Sequence, residues 1–275
     1  MNQMPADLHL HTTTSDGSLT PRELLDKALT LGLDIIAITD HDTVDGLYAI
    51  EGYEYQGLEI IPGIEFSTDY REHEVHILGY GIDIRNKDLT TQLTHLQAER
   101  VQRTKEMIER LAELGYPIDY ERVKQLAGTG TVGRVHIAQA LIERGYIRTI
   151  SEGFTRFLNH DAPAYVSRKK LTFSAAIELI HNAGGVAVLA HPGLINDDMI
   201  VKDIIAAGIR GLEVVHPGHN NEMEEKYYQM AQAYNLVPTG GSDSHGPKGK
   251  EQDYIGIKTI PNSWVSNLKE QMTKS

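Results

Sequence analysis

Short apolar runs at residues 6–10, 35–38, 60–64, 75–80, 186–190, 212–215 and 237–240 alternate with stretches that carry helix signals. This alternation restricts the chain to α/β architectures. Thr20-Pro21-Arg22-Glu23 opens the first helix, with a threonine cap, a proline in the first turn and a glutamate three residues after the cap; Gly32 marks its stop. Ile35-Ile36-Ala37-Ile38 is apolar at every position, as a strand covered on both faces requires. Further helices are expected from about Val44 and over residues 175–182, 201–207 and 222–234. The rhythm predicts a parallel sheet, closed or nearly closed into a barrel.

Residues 86–165 break that rhythm. Leu89, Leu93, Leu96, Met107, Ile108, Leu111 and Leu114 form an apolar stripe at helical spacing, ended by Gly115-Tyr116-Pro117, with shorter helical pieces after it. The simplest organisation is a barrel built from residues 1–85 and 166–275, with residues 86–165 as a helical insertion covering one rim of the active site. A chain of 275 residues is long enough for both.

Composition removes several chemistries. The absence of cysteine excludes disulfides, thiolate ligands and cysteine nucleophiles. A net charge of −12 disfavours sequence-independent binding of long duplex nucleic acid, which needs a basic face, but leaves room for a small anionic substrate at a locally positive site. No run approaches the roughly 18 apolar residues of a membrane span, and Asp7-Leu8-His9 reads as the end of a strand, not as part of a signal segment. The expected location is the cytoplasm, with no membrane partner. Oligomeric state is left open.

Metal-competent side chains recur at or just past the ends of the apolar runs: His9 and His11, Asp16, Asp40-His41, Glu65, His191, His216, and Asp243-Ser244-His245, with His76 inside its run. In a parallel barrel those ends converge on one face, where active sites form. His9 and His11, two apart on a strand, share a side and can chelate one ion; Asp243 and His245 repeat the spacing with mixed ligands.

The residues Asp7-Leu8-His9-Leu10-His11, Ser15-Asp16-Gly17, Ile38-Thr39-Asp40-His41-Asp42, Pro62-Gly63-Ile64-Glu65, Val75-His76-Ile77-Leu78-Gly79-Tyr80, Ala190-His191-Pro192 and Gly241-Ser242-Asp243-Ser244-His245 resemble the PHP (polymerase and histidinol phosphatase) superfamily, in that family's order. Gly133-Arg134-Val135-His136-Ile137-Ala138 and Glu213-Val214-Val215-His216-Pro217 resemble the branch acting on nucleoside 3′,5′-bisphosphates and the 5′ ends of short RNA. The resemblance implies a distorted (β/α)7 TIM-like barrel holding two or three divalent ions (manganese, zinc or iron). Carried over by position, His9, His11, Glu65 and Asp243 hold the first ion; Asp16, His41 and His245 the second; Glu65, His76 and His191 the third. A carboxylate at Asp16 makes the second site harder and more tolerant of manganese. A metal-held water that loses its proton near neutrality is then the expected nucleophile, and no glycine-lysine phosphate loop offers an alternative.

Outside the ligand set, Arg134 at a helix start is a phosphate receptor in type, with His136 beside it. His219 and His216 sit at a strand end, where either can protonate a leaving oxygen or grip phosphate. The run Arg168-Lys169-Lys170 and the helix residues Arg100 and Arg103 read as solvated charge, and His73, His95, His160 and His181 as structural or exposed. The expected function is hydrolysis of nucleotide phosphomonoesters, nucleoside 3′,5′-bisphosphate to 5′-monophosphate, with short oligoribonucleotides as a second substrate. The alternatives weighed are a histidinol-phosphate phosphatase, a non-catalytic module of this family and an amidohydrolase; the last lacks a strand-end lysine to carbamylate.

Overall fold

The computed structural model describes residues 5–71, 73–128, 130–167, 170–247 and 254–273. Strands β1 (Ala6–Leu10), β2 (Ile35–Ile38), β3 (Glu59–Tyr70), β4 (His73–Tyr80), β5 (Val186–Leu189), β6 (Gly211–Val215) and β7 (Val237–Gly240) form one sheet in sequential order. The sheet is nearly closed: the Ser244 carbonyl just past β7 accepts from the His11 amide at 3.0 Å, and Ala6 pairs with Ile260. Helix α1 (Pro21–Thr30) starts on the expected Thr20–Glu23 capping box. Short α2 (Asp45–Tyr48) follows β2.

The sheet is not all parallel. β4 runs antiparallel to both β3 and β5. Only residues 71 and 72 separate β3 from β4, whereas a crossover to a parallel neighbour needs a dozen or more residues, so a hairpin is the only connection available. Residues 66–70 extend β3 beyond the run read from the sequence, and this extension makes the hairpin possible. One consequence reaches the site. An antiparallel strand brings its beginning to the rim where its neighbours end, which is why His76 lies near the start of its strand while His11, His41, His191 and Asp243 follow theirs. Its carbonyl accepts from the Ala190 amide, level with His191.

After β4 the chain enters α3 (Lys87–Glu113), followed by α4 (Tyr120–Ala127), α5 (Arg134–Glu143), α6 (Ile150–Gly153) and a π-helical turn at Phe154–Leu158. Residues 92–169 form a compact unit with its own core of Met107, Leu111, Val123, Ile137, Leu141 and Leu158. α3 therefore begins in the barrel unit, where Leu89 is fully buried. Leu114, expected on the apolar stripe, is 43% exposed at the frayed end of α3. The barrel unit resumes with α7 (Phe173–Asn182), then α8 (Pro192–Ile195) and α9 (Asp198–Ala206) between β5 and β6, α10 (Asn221–Ala233) before β7, and α11 (Asn262–Met272). Val265 and Leu268 of α11 share a core with Ala6, Leu8, Ile35, Tyr80 and Val188. No helix among the described residues is long and apolar enough to cross a membrane.

Candidate metal centre

Three groups of ligand-type atoms converge at the ends of the strands. In the first, His9 Nε2 and His11 Nε2 each lie 3.3 Å from Glu65 Oε2, and 3.3 and 3.0 Å from Asp243 Oδ1. In the second, His245 Nε2 is 3.2 Å from Asp16 Oδ1, with His11 and His41 completing the cluster. In the third, Glu65 Oε1 lies 2.8 Å from His76 Nδ1 and 3.2 Å from His191 Nε2. His41 Nδ1 is 3.0 Å from Glu65 Oε2, so His41 faces both the second and the third groups. All nine residues expected as ligands are thus brought together, and Glu65 presents one oxygen to each of two imidazole sets.

Divalent ions fit this arrangement. An ion about 2.0–2.1 Å from its donors holds adjacent donors about 3.0–3.4 Å apart, which is the spacing found. His9 Nε2, His11 Nδ1, His41 Nδ1, His76 Nε2 and Glu65 Oε2 are buried with no hydrogen-bond partner. A buried polar atom left so costs about 1–3 kcal/mol; His9 Nε2 and His41 Nδ1 both face Glu65 Oε2 and point with it to a shared partner, whereas His76 Nε2 lies 3.5 Å from Glu74 Oε1. The electrostatics agree. Burial would raise the Glu65 carboxyl, but His41, His76 and His9 hold it well below the usual range. Burial would lower His11 and His76, but Asp243 and Glu65 around the first, and Glu65 and Glu74 around the second, push both up to about 10. His41 is pushed down to about 4, mainly by burial. Without ions, protons on the imidazoles balance the carboxylates; ions take their place.

The His9–His11 pair behaves as its spacing predicts, both rings turned to one group. The Asp243–His245 pair does not: Asp243 faces the first group and His245 the second. Asp243 has φ 47°, which turns the chain between them. His191 (φ 26°) and Asp42 (φ 53°) are also left-handed at strand ends. Such conformations in non-glycine residues each cost about 1–3 kcal/mol and persist where surroundings impose them. Gly241 is the reverse case: a Cβ there would meet the His9 backbone nitrogen at 2.4 Å, so only glycine lets β7 approach the first ligand.

Buried carboxylates outside the ligand set hold these segments. Asp40 accepts from the Thr12 amide and the Thr12, Thr14 and Ser15 hydroxyls at 2.5–2.7 Å, which fixes the loop carrying Asp16 and leaves no lone pair for an ion. Asp7 accepts from the Ser242 amide and hydroxyl and the Gly256 amide, anchoring the segment that carries Asp243; burial raises its pKa to about 6. Glu213 on β6 contacts His9 and the His191 backbone. The sequence offers no role for Asp7 or Glu213, and places Asp40 among the metal-competent residues, where its hydrogen bonds make it a support instead. Their signal is a carboxylate within or at the end of an otherwise apolar strand, where an unpaired charge is untenable.

Both strand-end histidines expected as acids are held in place. Gly218 donates its amide to His216 Nδ1 at 2.9 Å, so His216 carries its proton on Nε2, 3.2 Å from Asp243 Oδ2. His219 Nδ1 donates to the Val214 carbonyl at 2.8 Å, and its Nε2 accepts from the Gly193 amide at 3.0 Å. Neither ring nitrogen of His219 is left over for a leaving oxygen, and burial lowers its pKa. In the insertion, Arg134 Nη1 donates to the Leu158 carbonyl and the guanidinium lies over Phe154, 5.2 Å from its ring centre. His136 Nδ1 accepts from the Gly133 amide, capping α5. Lys170 pairs with Asp69 and Glu74; Arg168 and Lys169 lie outside the described residues.

The PHP domain matches residues 7–182. A 5′-3′ exoribonuclease of Haemophilus influenzae is 34% identical over 249 residues, covering 88% of this chain and 90% of its own length. A 3′,5′-nucleoside bisphosphate phosphatase of Chromobacterium violaceum is 32% identical over 262 residues, covering 93% and 92%. Among solved structures, a protein of Bifidobacterium adolescentis described as a metal-dependent phosphoesterase superposes with a TM-score of 0.84 at 32% identity, covering 97% of this chain and 96% of that one. The order of the strand-end residues, their convergence on a carboxylate shared between two imidazole sets and these likenesses lead to one assignment: the chain belongs to the PHP-domain family and, with it, to the metal-dependent phosphoric ester hydrolases.

Proposed function

We propose that this chain removes the 3′-phosphate from nucleoside 3′,5′-bisphosphates, leaving the 5′-monophosphate, and that it also trims short oligoribonucleotides from the 5′ end. The observation that carries the reading is Glu65, whose two oxygens face separate imidazole sets, as a carboxylate shared by two ions requires. His9, His11, Glu65 and Asp243 would hold one ion; Asp16, His41 and His245 a second; Glu65, His76 and His191 a third, the ions being manganese, zinc or iron. Bound there, such ions supply Lewis acidity toward phosphoryl oxygens and lower the pKa of a coordinated water to about 7.

The chain's own groups do the rest. Asp7 and Asp40 fix the two segments that carry Asp243 and Asp16. His216 holds a proton at Nε2 against Asp243 Oδ2, and with both nitrogens engaged His219 ties β6 to the start of α8; we assign both to positioning. Arg134 recognises the phosphate that is not transferred. Its fork is oriented by Leu158 and Phe154, and guanidinium pairing with phosphate is bidentate and charge-assisted. The relatives in H. influenzae and C. violaceum, whose names give RNA and bisphosphate as substrates, favour this over a histidinol-phosphate phosphatase.

Phosphate release from a nucleoside 3′,5′-bisphosphate, histidinol phosphate and an aryl phosphate, each with manganese, zinc and iron supplied separately, tests the reading. The bisphosphate should give the highest kcat/KM; preference for histidinol phosphate would overturn it. Arg134→Ala should raise KM for the bisphosphate more than it lowers kcat, because a grip made equally in ground and transition states provides uniform binding. A charge-assisted contact contributes about 1.5–3 kcal/mol, or about ten- to a hundredfold in kcat/KM. The aryl phosphate should be nearly unaffected. Equal loss on both substrates would move Arg134 to the transferred group or to folding.

A further inference from the structure

Glu213 is fully buried in the middle of β6, and each of its carboxylate oxygens has a different task. Oε1 lies 2.9 Å from His9 Nδ1. Oε2 accepts from the His191 backbone amide at 2.7 Å. A backbone amide cannot give up its hydrogen, so the second contact fixes which way the carboxylate faces. The first then fixes which nitrogen an ion can claim: facing an acceptor, His9 keeps its hydrogen on Nδ1, so an ion would take Nε2, 3.3 Å from both Glu65 Oε2 and Asp243 Oδ1. The same carboxylate thereby holds His191 in its left-handed turn, with its own Nε2 directed at Glu65 Oε1.

We propose that Glu213 is a positioning residue for the metal centre: it sets the tautomer of His9 and the backbone turn of His191, and so controls affinity for the ion held by His9, His11, Glu65 and Asp243. This rests on the metal-centre reading above. Outer carboxylates that orient a ligating imidazole typically contribute about 10–100-fold in metal affinity. Glu213→Gln separates the two tasks without changing shape. The amide oxygen stays with the His191 amide, and the NH2 group then faces His9 Nδ1. His9 answers by moving its hydrogen to Nε2, where it occupies the lone pair that the ion needs. One class of site is weakened while the others persist.

Zinc titration of the metal-free wild type and of Glu213→Gln against a chromophoric chelator reads each class of site without any measurement of turnover. The expected result is a single class weakened about 10–100-fold in the variant, with the remaining class unchanged. Wild-type affinity at every site in the variant would overturn the proposal alone; equal weakening at every site would make Glu213 a general prop and overturn the tautomer argument. A wild type that holds no zinc would overturn the metal-centre reading and the proposal with it. Should the variant fail to fold, imidazole nitrogen NMR of the zinc-loaded wild type decides: His9 protonated on Nδ1 is expected, and an unprotonated Nδ1 overturns the proposal.

Discussion

Replacing Glu65 with alanine should be the most damaging single change in the protein. In the proposed centre a terminal ligand such as His76 would serve one ion, whereas Glu65 places Oε2 against His9, His11 and His41 and Oε1 against His76 and His191. If loss of an orienting or ligating partner costs an ion about 10–100-fold, loss of a group shared by two ions costs about 10²–10⁴-fold in activity. The alanine variant also leaves the surrounding imidazoles without their buried counter-charge, so its metal-free form should be less stable than the metal-free wild type. Measuring kcat/KM and metal content of Glu65→Ala beside His76→Ala checks this. Equal, mild losses at both positions would show that Glu65 does not bridge.

Stripping the ions with a chelator should abolish hydrolysis and lower the unfolding midpoint while leaving the fold intact at neutral pH. A site saturated about a thousandfold above its dissociation constant adds about 4 kcal/mol. In a chain of this size 1 kcal/mol moves the midpoint by about 2–4 °C, so losing even one ion should lower it by on the order of 10 °C. The fold survives because protonated imidazoles replace the ions as partners of Glu65 and Asp243. That substitution has a pH signature. The folded pKa values of His11 and His76 are raised, from an ordinary 6.5 to about 10. Their contribution is therefore complete below about pH 6.5 and disappears as pH rises toward 10. The metal-free protein should lose stability across that window, and the metal-loaded protein should not. Thermal melts with and without chelator between pH 6.5 and 10 measure both effects; identical melts would remove the ions from the account.

Much of this centre is legible in the sequence because strand ends in a barrel share one rim, so metal-competent residues placed after successive apolar runs must meet. His11, His191 and Asp243 follow their strands and obey that rule directly, whereas His9 and Glu65 lie within β1 and β3. His76 obeys it for a different reason, since its strand runs backwards, and that reversal was hidden by reading β3 as ending at residue 64. The alternation Phe66-Ser67-Thr68-Asp69-Tyr70 carries the missing signal. The supporting carboxylates were harder to see. Asp7, Asp40 and Glu213 act through hydrogen bonds to backbone amides and hydroxyls far away in the chain, and spacing says nothing about such partners. His216 and His219 show the same limit from the other side: residue type and position suggested proton transfer, while the Gly218 amide and Asp243 engage the two nitrogens of His216, and the Gly193 amide and the Val214 carbonyl those of His219.

One buried carboxylate, Glu65, should join two imidazole sets into a centre for more than one ion. Elemental analysis of the purified protein, paired with phosphate release before and after chelation, tests it most directly. Two or three transition-metal ions per chain are expected, with activity that vanishes with the chelator and returns when manganese, zinc or iron is restored. A protein that carries no metal and hydrolyses its substrate unchanged in the presence of chelator would contradict it.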